Sequence, residues 1–382
     1  MKISKRVQEI APSGIRMFFD LVLGMKDVIS LGVGEPDFVT PWNIREKAIY
    51  SLEQGYTSYT SNKGIAELRK EISVFLKHRH GLDYDPEDEI LITVGVSEAF
   101  DLVARTITNP GDKILVPEPS YVSYYPVFYL AGARPIYLKT SLDNGFKLTP
   151  KQLDKSCDKN TKVLVINYPS NPTGASYSKK ELLEFCKIVK KRNLTVVSDE
   201  VYDELTYDFN HTAFATLPEM KSKTVYLNGF SKAFAMTGFR IGYACGPKEI
   251  ISAMTKIHQY TMMCVPITSQ MAAFEALKNG ARSVQEMKKE YCRRRELVVD
   301  GLNRLGLSCH KPEGAFYVFP SIKNTGYKSL SFAMELLKKK KVAVVPGTAF
   351  GPSGEGFIRI SYASSLDSLK EAISRMADFL KR

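Results

Sequence analysis

Cysteine and histidine are scarce in this sequence. The six cysteines, Cys157, Cys186, Cys245, Cys264, Cys292 and Cys309, include no CxxC pair, which removes the spacing of a zinc site or a disulfide frame. Among the five histidines, His78 and His80 stand closest. Two apart on a helix, they point about 200° from one another and make a poor metal pair. No metal is expected. Long apolar runs are missing too, since none reaches the roughly 18–20 residues of a membrane span. The basic stretch Met1–Pro12 leads into Ile15–Met25, where Arg16 and Asp20 interrupt what would be the apolar core of a signal peptide. A cytoplasmic protein with no membrane partner is the expectation. There is no repeat, no low-complexity tract and no linker that divides the chain cleanly.

Charge is plentiful but one-sided, with a formal net charge of +12. Such a balance can signal nucleic acid. The basic clusters Lys187–Arg192, Arg293–Arg295 and Lys338–Lys341, however, fall in helical patterns beside Glu181, Glu184, Glu290 and Glu335. They read as solvated helix faces, so no nucleic-acid partner is expected. Attraction of anionic substrates is a by-product.

Hydrophobic periodicity supplies the fold class. Glu89–Val94, Lys113–Val116, Arg134–Leu138, Lys162–Asn167, Thr195–Ser198 and Val225–Leu227 are short apolar runs alternating with helical patterns. That alternation predicts an α/β fold with a mostly parallel sheet covered by helices on both faces. Ser178 and Glu181 form a capping box for a helix running to about Arg192. Residues 11–30 read as an amphipathic helix entering a short strand. After Gly246 the pattern changes to helices at Pro247–Gln259, Thr268–Leu277 and Ala281–Leu305. A hairpin-like Ser308–Pro320 and a last α+β segment follow. The division expected is a large unit, 31–285, and a smaller α+β unit made of 1–30 and 286–382, with the N-terminal helix packed against the latter.

The chemistry gathers at Val225–Tyr243. Lys232 follows Ser231 in a Gly-rich corner, and Arg240 comes eight residues later among glycines. A lone lysine in a turn is ordinarily solvated. An amine beside a guanidinium in a tight corner instead suits a carbonyl cofactor that bears a phosphate, because lysine forms Schiff bases and arginine's fork grips phosphate. Strand, Gly95, helix start at Val96-Ser97 is an anion site by its unpaired amides. Asp199 ends an apolar strand, where it is either an N-cap, half of a buried ion pair, or the carboxylate that keeps the ring nitrogen of pyridoxal phosphate protonated. Asn171 and Tyr202 can donate to the ring's phenolate oxygen, and Tyr121 offers a flat face for stacking. In Gly32-Val-Gly34, glycine lets a backbone approach a ligand closely. Arg359, mid-strand, needs a partner, and a substrate carboxylate gripped bidentately is a good one.

With these residues in this order the chain resembles the fold-type I, class I/II aminotransferases, and within them the aromatic aminotransferases of the archaeal type. The matching motifs are Gly34-Glu-Pro-Asp37, Tyr59 before Gly64-Ile-Ala-Glu-Leu-Arg69, Pro119-Ser-Tyr121, Asn171-Pro-Thr-Gly174, Asp199-Glu-Val-Tyr202, Ser231-Lys232 with Arg240, and Arg359-Ile-Ser. The resemblance implies that pyridoxal phosphate forms its Schiff base on Lys232, which then shuttles the substrate proton. It also implies that Gly34, Asn171 and Arg359 hold the α-carboxylate, and that Tyr59 crosses a homodimer interface to the neighbour's phosphate. One departure is Gly229, where many members carry a phosphate-binding serine; the burden then falls on Ser97, Ser231 and Arg240. The expected reaction moves an amino group between an L-amino acid and 2-oxoglutarate. Arg16 is the nearest candidate for a distal carboxylate, and without a fixed distal cation an aromatic side chain is favoured over aspartate. An aspartate or broad-range aminotransferase, or a C–S β-lyase on the same scaffold, uses the same cofactor residues.

Overall fold

The computed structural model describes residues 2–12, 14–15 and 24–381. Of the segment 11–30 expected to form a helix entering a short strand, residues 13 and 16–23, Arg16 among them, lie outside the described residues, and the strand is found at Ile29–Ser30. Twelve strands occur among the described residues: β1 Ile29–Ser30, β2 Ile90–Thr93, β3 Lys113–Glu118, β4 Arg134–Lys139, β5 Thr161–Asn167, β6 Thr195–Asp199, β7 Thr224–Gly229, β8 Gly242–Cys245, β9 Tyr317–Val318, β10 Val342–Ala343, β11 Val345–Pro346 and β12 Ile358–Ser361.

Seven of them form one sheet in the order β2-β8-β7-β6-β5-β3-β4. Only β8 runs antiparallel to its neighbours, and the other pairings are parallel. Because helices cover both faces, the central strands are apolar over most of their length. Val163 to Ile166, Val196, Val197 and Val225 to Leu227 are all buried, as fits a sheet with no solvated face. The helix Lys179–Arg192 begins as expected, with Ser178 and Glu181 each accepting the other's backbone N–H. Each parallel strand ends on the same side of the sheet, and the loops that leave those ends carry the polar residues singled out above. Ligands of open α/β sheets sit at that edge.

The remaining strands make a three-stranded antiparallel sheet, β11-β12-β9, and the parallel pair β1-β10. Their core (Phe316, Val318, Phe332, Leu336, Val344, Ile358, Leu369) also takes in Leu31, Val201 and Tyr202 from around the large sheet. We propose the division at 31–285 against 1–30 with 286–382. In its support, β1 pairs with β10 and Gly301 packs closely on Ile373. The short helix Lys5–Glu9 reaches the other way, where Arg6 donates to the carbonyl of Tyr129.

Two expectations are corrected here. Ser308–Pro320 is not a hairpin, because its backbone bonds elsewhere. Glu313 and Gly314 donate to the carbonyl of Gly174, and Ala315 to that of Leu205, so the segment docks on the loop of Asn171. Nor are Arg293–Arg295 a solvated face. Arg293 is exposed, but Arg294 is buried against Asp37 and Glu290, and Arg295 against Asp208. Both buried arginines tie the long helix Ala281–Arg304 to loops of the large sheet, through carboxylates that stay partly exposed.

Candidate active site

At the carboxyl ends of the strands lies a cavity of about 700 Å³. It brings together Gly34, Val96, Ser97, Tyr121, Asn171, Asp199, Tyr202, Ser231, Lys232, Arg240 and Arg359. Tyr59 is not among them; it is 81% exposed and stands on the outside of the chain.

Lys232 follows β7 by three residues. Its Nζ donates to the carbonyl of Gly34 at 2.7 Å and lies over the rings of Tyr202 and Phe316. Burial, helped by the positive charges of Arg359 and Arg240 and opposed by Glu35 and Asp199, lowers the amine to about 8. Such an amine is partly neutral near physiological pH, as a nucleophile or proton carrier must be. Beside the Ser231-Lys232 turn, two glycines are closely approached by the helix start. A Cβ on Gly242 would come within 2.8 Å of the Val96 nitrogen, and one on Gly229 within 3.0 Å of Gly242 Cα and 3.1 Å of Val96 Cγ2. A serine at Gly229 would therefore need its neighbours at the helix start to give by a few tenths of an ångström.

The helix Gly95–Ile107 points its first turn into the cavity, with Val96 and Ser97 at the opening. Gly95 adopts φ +73°, and a Cβ there would reach 2.9 Å from Arg240 Nη2. Arg240 itself is left-handed, φ 53°, an uncommon conformation for a side-chain-bearing residue. Unpaired amides and a guanidinium thus face the same space, which suits a phosphate dianion.

Asp199 is buried at the end of β6. Its Oδ1 accepts from the Val201 N–H (3.2 Å) and its Oδ2 from the Tyr124 hydroxyl (2.6 Å). Burial lifts its pKa to about 6, against the pull of those two donors. Asn171 uses its Oδ1 to accept from Arg359 Nη1 at 3.0 Å, leaving its amide hydrogens as donors. The hydroxyls of Tyr202 and Tyr317 lie 2.8 Å apart. If Tyr317 donates, Tyr202 keeps its hydrogen for the cavity.

Arg359 is buried between the rings of Tyr317 and Phe350. Its Nη2 donates to the Gly32 carbonyl, and its Nε has no partner. Among the described residues no carboxylate pairs with it, and burial holds its pKa below the ordinary arginine value. A buried cation without a counter-ion calls for an anionic ligand.

Sequence reasoning missed Tyr124, Tyr317 and the apolar wall of Val33, Phe100, Val122 and Val127. Tyr124 had a signal, standing one turn beyond Tyr121 in Ser120-Tyr121-Val-Ser-Tyr124. Tyr317 had none, because its neighbours come from distant segments.

The model of the family described as aminotransferase class I and II matches residues 26–376. A Bacillus subtilis protein, YugH, is 55% identical over 380 residues, covering 100% of this chain and 98% of that one. An aspartate aminotransferase of Pyrococcus abyssi is 45% identical over 384 residues, 100% of this chain and 99% of its own. A solved aromatic aminotransferase from Pyrococcus horikoshii superimposes with a TM-score of 0.92 at 44% identity, covering 96% of this chain and 98% of the other.

Proposed function

This chain belongs to the class I and II aminotransferases, enzymes that depend on pyridoxal phosphate, and we propose that it moves an amino group between an aromatic L-amino acid and 2-oxoglutarate. The cofactor, when bound, supplies a protonated ring that accepts the electrons of the broken Cα–H bond. The cavity fits it. In this reading Val96, Ser97, Ser231 and Arg240 hold its phosphate, Tyr121 stacks on its ring, Asp199 partners its ring nitrogen, and Asn171 and Tyr202 donate to its phenolic oxygen. Lys232 is its covalent anchor and, once released, carries the proton taken from the substrate. Gly34, Asn171 and Arg359 fix the α-carboxylate.

The observation that carries the reading is the buried guanidinium of Arg359, which meets no carboxylate among the described residues and faces the same cavity as Lys232. A carboxylate there satisfies a charge that otherwise costs free energy, and sets the substrate's Cα near the amine. The aromatic preference is supported by the cavity wall. Among the described residues its cations are Lys232, Arg240 and Arg359, while Ile15, Val33, Phe100, Val122 and Val127 are apolar. An aspartate preference is the second reading, favoured by the relatives that bear that name. We also place the enzyme in the cytoplasm, in keeping with six free cysteines, and as a homodimer. No described helix is long and apolar enough to cross a membrane.

Lys232→Ala is expected to fold and to lose transamination by at least the roughly 10²–10⁴-fold of general acid–base catalysis; borohydride should fix cofactor to Lys232 in the native protein. A label on another lysine would refute the site. For substrate, kcat/KM of phenylalanine and aspartate are compared with 2-oxoglutarate as acceptor. A tenfold preference for aspartate, about 1.4 kcal/mol, reverses the assignment, and pyruvate released without an acceptor indicates a lyase instead.

A further inference from the structure

We propose that Tyr124 is a positioning residue for pyridoxal phosphate that acts through Asp199, by aiming one carboxylate oxygen and holding the group ionised. The proposal rests on the reading of Asp199 as the partner of the ring nitrogen.

The geometry is local and closed. Tyr124 opens the helix Tyr124–Leu130, and its N–H donates to the carbonyl of Tyr121 at 3.2 Å. The two tyrosine rings meet edge to face, 5.6 Å apart, and Tyr124 packs on Phe100 at 4.7 Å. One turn of chain therefore carries both the ring that lines the cavity and the hydroxyl that meets Asp199. That hydroxyl is buried, and Asp199 Oδ2 is its acceptor at 2.6 Å. Burial, with the negative charge of Asp199, raises the Tyr124 pKa well above the ordinary tyrosine value. Its proton stays on oxygen, so the hydroxyl is always the donor. With Val201 N–H on Oδ1, both carboxylate oxygens are tied, and the side chain has one available orientation.

The same bond decides the charge of Asp199. Burial and the neighbouring Glu200 push its pKa up, and Tyr124, Val201 and Lys232 pull it down, leaving it near 6. Tyr202 also faces the carboxylate from its own loop. Removing the Tyr124 donor takes away a pull that, for a bond to a charged group, corresponds to roughly one to two pH units. Asp199 would then be at least half protonated near neutrality instead of mostly ionised. A ligand that needs the ionised form binds in proportion to the fraction ionised.

Equilibrium binding of pyridoxal phosphate to the cofactor-free protein, measured across pH, tests this. In Tyr124→Phe the affinity should fall about two- to tenfold at pH 7, with the loss vanishing above about pH 9 and the acidic midpoint moved up by one to two units. Tyr124→His, which keeps a donor, should restore the midpoint. Comparison of Tyr124→His with Tyr124→Leu asks the same question should Tyr124→Phe not fold. In an Asp199→Asn background the effect of Tyr124→Phe should disappear. A loss equal at every pH, or persisting without the carboxylate, marks Tyr124 as merely structural and overturns the proposal. If Asp199→Asn itself binds and turns over like the native protein, the assignment of Asp199 falls. If Asp199→Asn is impaired and Tyr124→Phe is not, this inference alone falls.

Discussion

Side chains that a stable core would avoid are concentrated around the cavity: a buried carboxylate at Asp199, a buried cation at Arg359 and a partly neutral amine at Lys232. Each weakens the cofactor-free fold, so function and stability oppose each other residue by residue. Asp199 gives the clearest test. Its native pKa, about 6, lies above the ordinary 3.8, so the native state binds more protons than the unfolded chain between those values. Stability is therefore lost as pH rises from about 3.8 to about 6 and stays lost above. Cofactor-free Asp199→Asn should be more stable than the native protein at about pH 7.5, by on the order of 3 kcal/mol at most, with the gap closed near pH 4. Urea midpoints at the two pH values measure it. A variant that is no more stable at about pH 7.5 would place the cost of this site elsewhere.

Elements were legible wherever pattern and local chemistry agreed. The alternating apolar runs gave the parallel strands, and the Ser178 capping box gave a helix start, because both signals are local. Ser308–Pro320 was misread since its hydrogen-bond partners, Gly174 and Leu205, are more than a hundred residues away. Arg294 and Arg295 were misread for the same reason, as Asp37 and Asp208 are invisible from the helix that carries the arginines. The helix start at Gly95 was read as an anion site from strand, glycine and helix alone, and there the glycine is under two constraints at once. Its φ of +73° is left-handed, and its missing Cβ clears Arg240. Gly95→Ala should cost about 1–2 kcal/mol from backbone strain and in addition push the guanidinium out of line with the first-turn amides. Affinity for pyridoxal phosphate should fall by more than stability does. Equal cofactor affinity in a folded Gly95→Ala protein would remove Arg240 and this turn from the phosphate site.

At the scale of the whole molecule, Tyr59 is the expected site residue that the single chain leaves outside its own cavity. The stretch of chain that carries it exposes several large apolar side chains. Val39, Trp42, Tyr50, Leu52 and Tyr56 are exposed beside it in sequence, and Tyr260, 83% exposed, and Met262 lie on the segment of Met263, whose carbonyl accepts from Asn62. We propose that these side chains form one patch that a second copy covers, the partner that the proposed homodimer requires. In a two-fold dimer each patch meets its own equivalent, so Tyr59 of each copy can complete the site of the other. That arrangement makes a prediction no monomeric enzyme could meet. Lys232→Ala and Tyr59→Ala should each be impaired alone. Mixed, dissociated and reassociated, they form hybrids in which one site has both its own Lys232 and its neighbour's Tyr59. With random pairing of equal amounts, half the dimers are hybrids and one of their two sites is intact, so about a quarter of native activity should return. If the mixture stays at the average of its two components while sedimentation reports dimers, Tyr59 serves its own chain or none, and the apolar patch is a structural interface alone.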